Sequence, residues 1–426
     1  MRLSFLKSKE LKNAGWLIGG KVAQMILSLF VGVLSARFLG PSNYGLINYG
    51  NALASFCISL CTLGINSVIV KELIENPDKN GELLGTSIFM RLLSSLGSSV
   101  LVILVSTIID YGDWETVAVV ALCSISLLFH AFDTINYWFH SLYNSKISAI
   151  ATFVAYVVTA AYKIILLILQ KSIFWFAFAT SVDYIALGIV LVLCYKKANG
   201  PKFKISIKTG KNILGKSYHY ILSGIMVAIY GQTDKLMLKQ MLDEESVGYY
   251  SVAIALCSMW TFVLVAVIDA MYPTIVNSFK ENKVLFEKRN RQLYAIVFYL
   301  CMFVSIGFWI LGDFAINVLY GKEFAPAALP LKVVTWYTAF SYLGSARSAW
   351  MVCTNNQKYI KIMYIPAIFI NIVLNLICIP LWGATGAAVA SLVTQLSTSL
   401  LLPMCFKELR PNTRLMLEAI TLKKIR

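Results

Sequence analysis

The chain has 426 residues, of which 58% are hydrophobic and only 14% are charged. Soluble proteins carry about 25% charged residues, so a water-soluble fold of this composition could not cover its surface with polar side chains. A formal net charge of +16 would suggest nucleic acid as a partner of a soluble protein. The mean hydropathy of +0.72 excludes that class and a disordered chain, and predicts a polytopic membrane protein.

Twelve apolar segments follow one another along the chain. Each is long enough to cross roughly 30 Å of hydrocarbon as an α-helix. We place them at residues 14–39, 44–70, 84–109, 116–142, 147–169, 172–195, 216–238, 246–275, 293–318, 327–353, 359–381 and 384–406. The alternating ten-residue segments of a membrane β-barrel are absent from the sequence. The predicted fold class is therefore an all-α polytopic membrane protein of about twelve transmembrane helices.

Basic residues are concentrated in alternate loops. The termini and the even-numbered loops contain 27 Lys and Arg, whereas the odd-numbered loops contain 3. Because basic loops remain in the cytoplasm, this asymmetry predicts a multi-pass membrane protein with both termini in the cytoplasm. It also explains the net charge without nucleic acid, so membrane lipids are the expected surroundings.

The longest loop, 196–215, is rich in lysine and contains no acid, which is typical of a linker between two halves. Gly45 and Gly248 follow the first span of each half and lie 203 residues apart, which suggests an internal repeat. We therefore predict two six-helix lobes around a central cavity. The predicted divisions are an N-terminal lobe at 1–195, a basic cytoplasmic linker at 196–215, a C-terminal lobe at 216–406 and a cytoplasmic tail at 407–426.

Polar side chains recur at helical spacing inside several spans. In the second span, Asn51, Ser55, Ser59 and Thr62 fall on one face at 100° per residue. Ser, Thr and Asn also join membrane helices through close packing and hydrogen bonds, so a single polar residue has an ordinary structural explanation. Several such stripes that also contain charged residues favour a shared polar cavity.

Ionisable residues within the spans identify candidate sites, because a charge at the bilayer centre costs about 2.5–3.5 kcal/mol and normally faces the protein interior or water. Arginine can grip phosphate with two parallel hydrogen bonds, and aromatic rings can stack on sugars. The predicted substrate-binding residues are Arg91, Arg347, Lys163, Lys21, Trp336 and Tyr137. Asp133 and Asp183 either carry a coupling proton or pair with these cations. Arg37, Asp234 and Lys235 lie toward the outer face as predicted gating residues, although Arg37 and Lys235 could instead snorkel to the headgroups.

Sequence motifs for other chemistries are missing. The nine cysteines form no CxxC or Cys/His cluster, so no metal site and no cofactor are predicted. The phosphate-binding motif GxxxxGK[ST] is absent, which argues against an ATP-driven pump. No long extramembrane loop offers the paired catalytic residues of an enzyme.

Three segments resemble the bacterial polysaccharide transporter family: ARFLGPSNYGLINY (36–49), TDKLMLKQMLDEESVGYYSVA (233–253) and NNQKYIKIMYIPAIFINIVLNLICIPLWGATGAAVASLVTQ (355–395). This is the O-antigen and capsule repeat-unit flippase branch of the multidrug/oligosaccharidyl-lipid/polysaccharide exporter superfamily. By motif, Arg37, Gly40, Pro41 and Gly45 match the first-loop signature, and Asp234, Gly248 and Tyr250 match that of the seventh span. Lys21 stands where an arginine-rich lobe would be expected in the peptidoglycan-precursor relatives.

The resemblance implies a non-enzymatic flippase that moves undecaprenyl-pyrophosphate-linked oligosaccharide from the inner to the outer leaflet by alternating access. It implies coupling to a gradient of H⁺ or Na⁺, and work alongside a glycan polymerase and its chain-length partners. One alternative is a multidrug exporter of the same superfamily, which predicts an acid-dominated cavity. A membrane-embedded glycan polymerase is the other, and it needs a large catalytic loop.

Overall fold

In the computed structural model, the backbone is described for residues 9–423 and the side chains for residues 24–360 and 362–423. This part of the chain is helical and contains no β-strand. Eight helical segments within it are long and apolar enough to cross a membrane, and two of these, Gln24–Glu75 of 52 residues and Lys358–Cys405 of 48 residues, are long enough to cross twice. The chain is thus an all-α polytopic membrane protein, and its helical segments are consistent with the predicted twelve spans.

The chain divides into two compact units. Unit 1 comprises the residues up to Leu39 together with Leu46–Ala228, and unit 2 comprises Gly40–Gly45 and Ile229–Arg426. The helices from the N-terminus onward are α1 (Lys9–Thr62), α2 (Asn66–Glu75), α3 (Asn80–Ile109), α4 (Trp114–Ser124), α5 (Ser126–Phe129), α6 (Thr134–Ser141), α7 (Ser145–Ile168), α8 (Ile173–Lys197) and α9 (Ile207–Met241). The remainder are α10 (Glu244–Ser258), α11 (Thr261–Glu281), α12 (Lys283–Tyr320), α13 (Ala328–Ala346), α14 (Ser348–Cys353), α15 (Lys358–Leu396), α16 (Leu402–Cys405) and α17 (Arg410–Ile420).

Two glycines divide the longest helices into pairs of spans. Gly40 within α1 has φ +72°, and Gly383 within α15 has φ +57°. Side chains other than glycine rarely adopt this left-handed region, so glycine turns the chain there without steric cost. Pro41 follows Gly40 and lacks the backbone N–H that a continuing helix would need, which suits it to the first turn of a new helix. The predicted divisions at 39–44 and 381–384 are therefore present as sharp turns.

The fourth predicted span, 116–142, is not one regular helix. It begins with a cap in which the Asp113 carboxylate accepts from the Thr116 backbone N–H at 3.1 Å. It then passes through α4 and α5, tightens into a 3₁₀ segment at His130–Asp133, and continues as α6. The 3₁₀ segment changes the angle between successive side chains. The regular spacing of 100° per residue therefore does not hold across this span.

The loop between α8 and α9 is docked on unit 1. The Lys204 backbone N–H donates to the Gly81 carbonyl at 3.0 Å, and the Ser206 N–H donates to the Thr86 hydroxyl at 3.0 Å. Further along, Lys216 pairs with the buried carboxylate of Glu72 at 2.7 Å. The segment predicted as a linker is thus partly helical from Ile207 and packed on α2 and α3. The boundary between the units falls inside α9, so the predicted lobe limits stay a prediction.

Unit 2 has its own apolar core, formed by α11, α12, α13, α15 and the tail helix α17. The tail helix is held by an ion pair between Arg291 and Glu418 at 2.7 Å and by the Tyr299 hydroxyl, which donates to the Ile420 carbonyl at 2.7 Å. Before this helix, the residues Ser397–Leu401 form a π-helical segment. The predicted cytoplasmic tail is therefore an integral part of unit 2.

The two glycines that suggested an internal repeat lie against each other. A Cβ atom on Gly45 would collide with the Glu244 carbonyl oxygen and the Gly248 nitrogen, and one on Gly248 would collide with the Pro41 carbonyl. Both positions therefore require glycine for the backbones to approach. Residues 40–45 belong to unit 2, as does Gly248.

Candidate functional site

A buried carboxylate forms the centre of a polar network in unit 2. Asp234, on α9, is 6% exposed. Its Oδ1 accepts from Asn375 Nδ2 at 2.7 Å and from Asn371 Nδ2 at 3.2 Å. Its Oδ2 accepts from the hydroxyls of Tyr250 and Ser391, both at 2.5 Å. Four neutral donors from α10 and α15 thus stabilise one negative charge inside an apolar unit.

A cavity of about 300 Å³ borders this network, and we call it the Asp234 cavity. Asp234, Lys235, Gln232, Tyr337 and Ser341 are among the residues that line it. The Lys235 ammonium interacts electrostatically with Asp234. Gln232 Oε1 and Asn375 Oδ1 are buried and have no hydrogen-bond partner within the described part of the chain. These unpaired oxygens could accept a proton donor or contact a cation beside the carboxylate.

A second cavity of about 270 Å³, which we call the Arg347 cavity, shares two lining residues with the first, Tyr230 and Ser341. Its lining also includes Gly344, Ser345, Ser348, Tyr364, Gln395, Thr398 and Ser399. Hydroxyl and amide side chains therefore continue from Asp234 toward Arg347 within unit 2. The lining of the two cavities together contains one carboxylate, one ammonium and one guanidinium group.

Arg347 is 2% exposed, and its guanidinium group is bound by the protein itself. Nε donates to Asn412 Oδ1 at 3.1 Å, and Nη1 donates to the Thr398 carbonyl at 3.4 Å. Nη2 donates to the Ser399 carbonyl. The residue four positions after Ser399 is Pro403, which has no N–H to donate, so the arginine replaces the missing helical donor. In this conformation Arg347 stabilises the π-helical segment.

In unit 1, Arg91 is 0% exposed. Its Nη1 donates to the Thr134 hydroxyl and its Nη2 to the His130 carbonyl, each at 2.8 Å. In a regular helix the Thr134 N–H would donate to the His130 carbonyl, but here it donates to the carbonyls of Ala131 and Phe132. Arg91 therefore binds a carbonyl that has lost its regular helical donor four residues on.

Two predicted residues lie on the same segment. Asp133 interacts electrostatically with Arg91 and accepts from Asn136 Nδ2 at 2.7 Å. Tyr137 is half-buried and contacts Asp133 through its hydroxyl. Arg91, Asp133 and Tyr137 are thus brought together, as a cluster of opposite charges and hydrogen-bonding groups rather than a set of cations alone.

A second cluster in unit 1 contains Lys163 on α7 and Asp183 on α8, which interact electrostatically. The Thr159 hydroxyl donates to Asp183 Oδ1 at 3.1 Å. Tyr156, one turn away on α7, is hydrogen-bonded to Ser28. Lys163 and Asp183 therefore lie within electrostatic range of each other, and the ion-coupling role of Asp183 stays a prediction.

The remaining predicted residues are dispersed. Arg37 is exposed, and Trp336 is half-buried on α13 without lining either cavity of unit 2. Lys235 lines the Asp234 cavity, next to the carboxylate. The side chain of Lys21 lies outside the described residues. No group of three or more His, Cys, Asp or Glu residues capable of holding a metal ion occurs among the residues that the structure describes.

The donors around Asp234 are not among the residues predicted from the sequence. Asn371 and Asn375 lie four residues apart in an otherwise apolar stretch of α15, which places them on one face. This spacing was the available signal, since two amides aligned in an apolar helix need polar partners. The Asp234 network also gives this residue a different setting from the outer gate predicted for it, although the gating role itself stays a prediction.

Comparison with known proteins relates these features to one family. A family model described as polysaccharide biosynthesis protein matches residues 11–279. The capsular polysaccharide biosynthesis protein CapF of Staphylococcus aureus is 18% identical over 396 residues, an alignment that covers 90% of this chain and 96% of CapF.

Solved structures share the fold at low sequence identity. The lipid II flippase MurJ in an inward closed conformation has a TM-score of 0.70 and 16% identity, covering 95% of this chain and 91% of MurJ. An inward-facing multidrug resistance MATE family transporter of the MOP superfamily has a TM-score of 0.64 and 13% identity, covering 93% and 96%. The fold is that of these membrane transporters. The family model matches well over half of the present chain, and the chain therefore belongs to the polysaccharide biosynthesis protein family.

Proposed function

We propose that this protein is a flippase that moves undecaprenyl-pyrophosphate-linked oligosaccharide repeat units, of O-antigen or capsule type, from the inner to the outer leaflet of the bacterial cytoplasmic membrane. The observation that carries the proposal is the pair of adjoining polar cavities inside the apolar unit 2, with Asp234, Lys235 and Arg347 in their linings. Membership of a polysaccharide biosynthesis family and the fold shared with transporters support it. The distribution of Lys and Arg supports cytoplasmic termini.

Lysines are the better candidates for contact with the pyrophosphate. The guanidinium nitrogens of Arg347 already donate to Asn412, Thr398 and Ser399, so binding phosphate there would break bonds within the protein. Lys235 and Lys163 are held by electrostatic interactions with one carboxylate each, and their ammonium groups have three rotatable donors. We propose that Lys235 in unit 2 and Lys163 in unit 1 each offer a phosphate contact within their own unit, and that Arg91 and Arg347 hold the helices around them in place.

We propose that Asp234 binds the coupling ion. Asp133, Asp183 and Asp234 each have a cationic neighbour, so such a neighbour does not distinguish them. Asp234 is buried among four neutral donors and next to unpaired amide oxygens, so a proton or Na⁺ could replace those donors. One charge crossing 100 mV supplies about 2.3 kcal/mol, or about a 50-fold accumulation of substrate.

The function is tested by deleting the gene in the bacterium that carries it and analysing the lipid-linked glycan. We expect single repeat units on the undecaprenyl carrier to accumulate on the cytoplasmic side and to disappear when the wild-type gene is restored. Accumulation of unpolymerised units on the outer side would instead indicate a polymerase. Normal glycan with increased sensitivity to cationic drugs would indicate a multidrug exporter.

Coupling is tested in proteoliposomes with an imposed gradient of either H⁺ or Na⁺. We expect Asp234→Asn to lose gradient-driven accumulation, about 50-fold, while flipping to equilibrium continues. Asp183→Asn and Asp133→Asn are the matched controls, because each removes one partly buried carboxylate from unit 1. Loss of accumulation in Asp183→Asn or Asp133→Asn, but not in Asp234→Asn, would move the coupling site to unit 1.

A further inference from the structure

A groove lies between the first turns of α12 and the tail helix α17, and we call it the α12–α17 groove. Its volume is about 450 Å³. The lining residues are Glu287, Arg291, Lys407, Arg410, Pro411, Arg414, Leu415 and Glu418. None of them lines the Asp234 or Arg347 cavity, so the groove is a separate site.

The groove carries an excess of positive charge. One of its two acids, Glu418, is already paired with Arg291 at 2.7 Å and with Arg414 at 3.0 Å. Arg410 uses Nε to donate to the Met404 carbonyl at 2.9 Å, and its terminal nitrogens make no hydrogen bond to any residue that the structure describes. Lys407 and Arg410 are both exposed. Two cationic groups therefore face the groove with donors available for an anion.

A buried donor adds to this surface. Arg291 is 7% exposed, and its Nε has no hydrogen-bond partner within the described ranges. A buried guanidinium donor that stays unpaired is unfavourable, and a hydrogen-bond acceptor bound in the groove would offset part of this penalty. The groove therefore combines two exposed cationic side chains, Lys407 and Arg410, with the buried Arg291, which Glu418 holds in place.

The groove lies next to the end of a membrane span. The last apolar span ends at Cys405, only two residues before Lys407. The adjacent residues Leu401 and Met404 are exposed apolar side chains of the kind that contact lipid. Lys407 and Arg410 therefore lie at headgroup depth, where the phosphates of anionic lipids are concentrated.

We propose that the α12–α17 groove binds the phosphodiester headgroup of an anionic phospholipid. Arg410 and Arg414 offer planar forks that match phosphate oxygens, and Lys407 adds a point charge. The shared chemistry would also suit a soluble phosphate, but the position beside a span favours a lipid, which is present there at high local concentration. The proposal is independent of the flippase function, because it uses no residue assigned to transport.

The test is native mass spectrometry of the purified full-length protein titrated with phosphatidylglycerol, with phosphatidylcholine as the neutral reference lipid. We expect the double variant Lys407→Gln/Arg410→Gln to bind phosphatidylglycerol about 30-fold more weakly, since each basic residue near the surface contributes about 1 kcal/mol. The matched control is Lys208→Gln/Lys211→Gln, which removes two exposed lysines from the start of α9 and leaves affinity unchanged. The single variants should each lose about fivefold.

Equal loss of affinity in the control and the test variant would overturn the proposal, because it would show only a general charge effect. Unchanged phosphatidylglycerol binding in the test variant would overturn it as well. A titration with inorganic pyrophosphate distinguishes a lipid headgroup from a soluble phosphate as the ligand. If millimolar pyrophosphate binds in the absence of lipid and loses affinity in Lys407→Gln/Arg410→Gln, the groove is a soluble-phosphate site and the lipid assignment fails.

Discussion

Unit 1 and unit 2 each contain an arginine, Arg91 and Arg347, that is buried among apolar helices and binds a backbone carbonyl at an irregular helical segment. In unit 1, Arg91 donates to His130 at the start of a 3₁₀ segment. In unit 2, Arg347 donates to Thr398 and Ser399 within a π-helical segment. In both units a carbonyl that lacks its regular helical donor accepts a hydrogen bond from a charged side chain of another helix.

The difference between the two arginines lies in how completely each is bound. Arg347 uses Nε, Nη1 and Nη2, and its acceptors are neutral. Arg91 leaves Nε without a partner within the described chain, and the Asp133 carboxylate lies in electrostatic range. Unit 2 thus relies on its arginine for local structure, whereas the arginine of unit 1 retains a donor and an acidic neighbour. A deeply buried cation in a transporter is therefore not by itself evidence of substrate contact.

Arg347→Ala tests whether unit 2 needs its arginine for local structure, and for this variant we expect the largest loss of stability. Removing the guanidinium leaves two carbonyls and the Asn412 oxygen unpaired and opens a cavity, which costs about 4 kcal/mol. Thermal unfolding in detergent measures the loss, and Arg414→Ala, whose side chain is 75% exposed, is the control that should stay within about 0.5 kcal/mol. If Arg347→Ala unfolds like the wild type but no longer flips substrate, Arg347 acts on the substrate instead.

Arg91→Ala applies the same test to unit 1. We expect it to lower the free energy of unfolding by about 3 kcal/mol, less than Arg347→Ala, because Arg91 makes fewer hydrogen bonds. Arg91→Lys preserves the charge near Asp133 but cannot reach both acceptors in parallel, so it should recover only part of the stability. The same unfolding measurement applies. Full stability of Arg91→Lys would show that charge pairing, and not the bond to the His130 carbonyl, is what Arg91 contributes.

The smallest effect comes from restoring the missing donor of unit 2. Pro403→Ala returns a backbone N–H that can reach the Ser399 carbonyl, so the carbonyl depends less on Arg347. In a double-mutant cycle we expect Pro403→Ala to reduce the cost of Arg347→Ala by about 1 kcal/mol. Pro411→Ala, at the exposed first turn of α17, is the matched control. Strict additivity of Pro403→Ala and Arg347→Ala would contradict the donor-replacement explanation.

Much of the fold follows from the hydropathy of the sequence, because a backbone in lipid must satisfy its own hydrogen bonds and helices do so. The turns at Gly40 and Gly383 lie between predicted spans. The irregular segments at 130–133 and 397–401 were missed because an average over apolar residues does not detect a change in helical pitch. The docking of the 196–215 loop was missed as well, since it depends on contacts with Gly81 and Thr86 that are distant in sequence.

The site was predicted less completely. The charge of Asp234, Lys235 and Arg347 identified them as unusual within apolar spans, and all three line cavities of unit 2. Their hydrogen-bond partners were not predicted, because amide and hydroxyl side chains in membrane helices commonly serve only to join helices and so do not by themselves indicate a site. Only tertiary structure distinguishes an Asn371 that donates to a carboxylate from an asparagine that joins two helices.

The contact of Gly45 with Gly248 has a consequence for any attempt to divide the polypeptide. The second compact unit borrows six residues, Gly40–Gly45, from the beginning of the chain, and its α10 backbone fits against them without intervening side chains. A gene cut between the halves would yield a C-terminal fragment that lacks this hexapeptide and leaves the Gly248 surface bare. The two halves would have to be produced together to give a complete second unit.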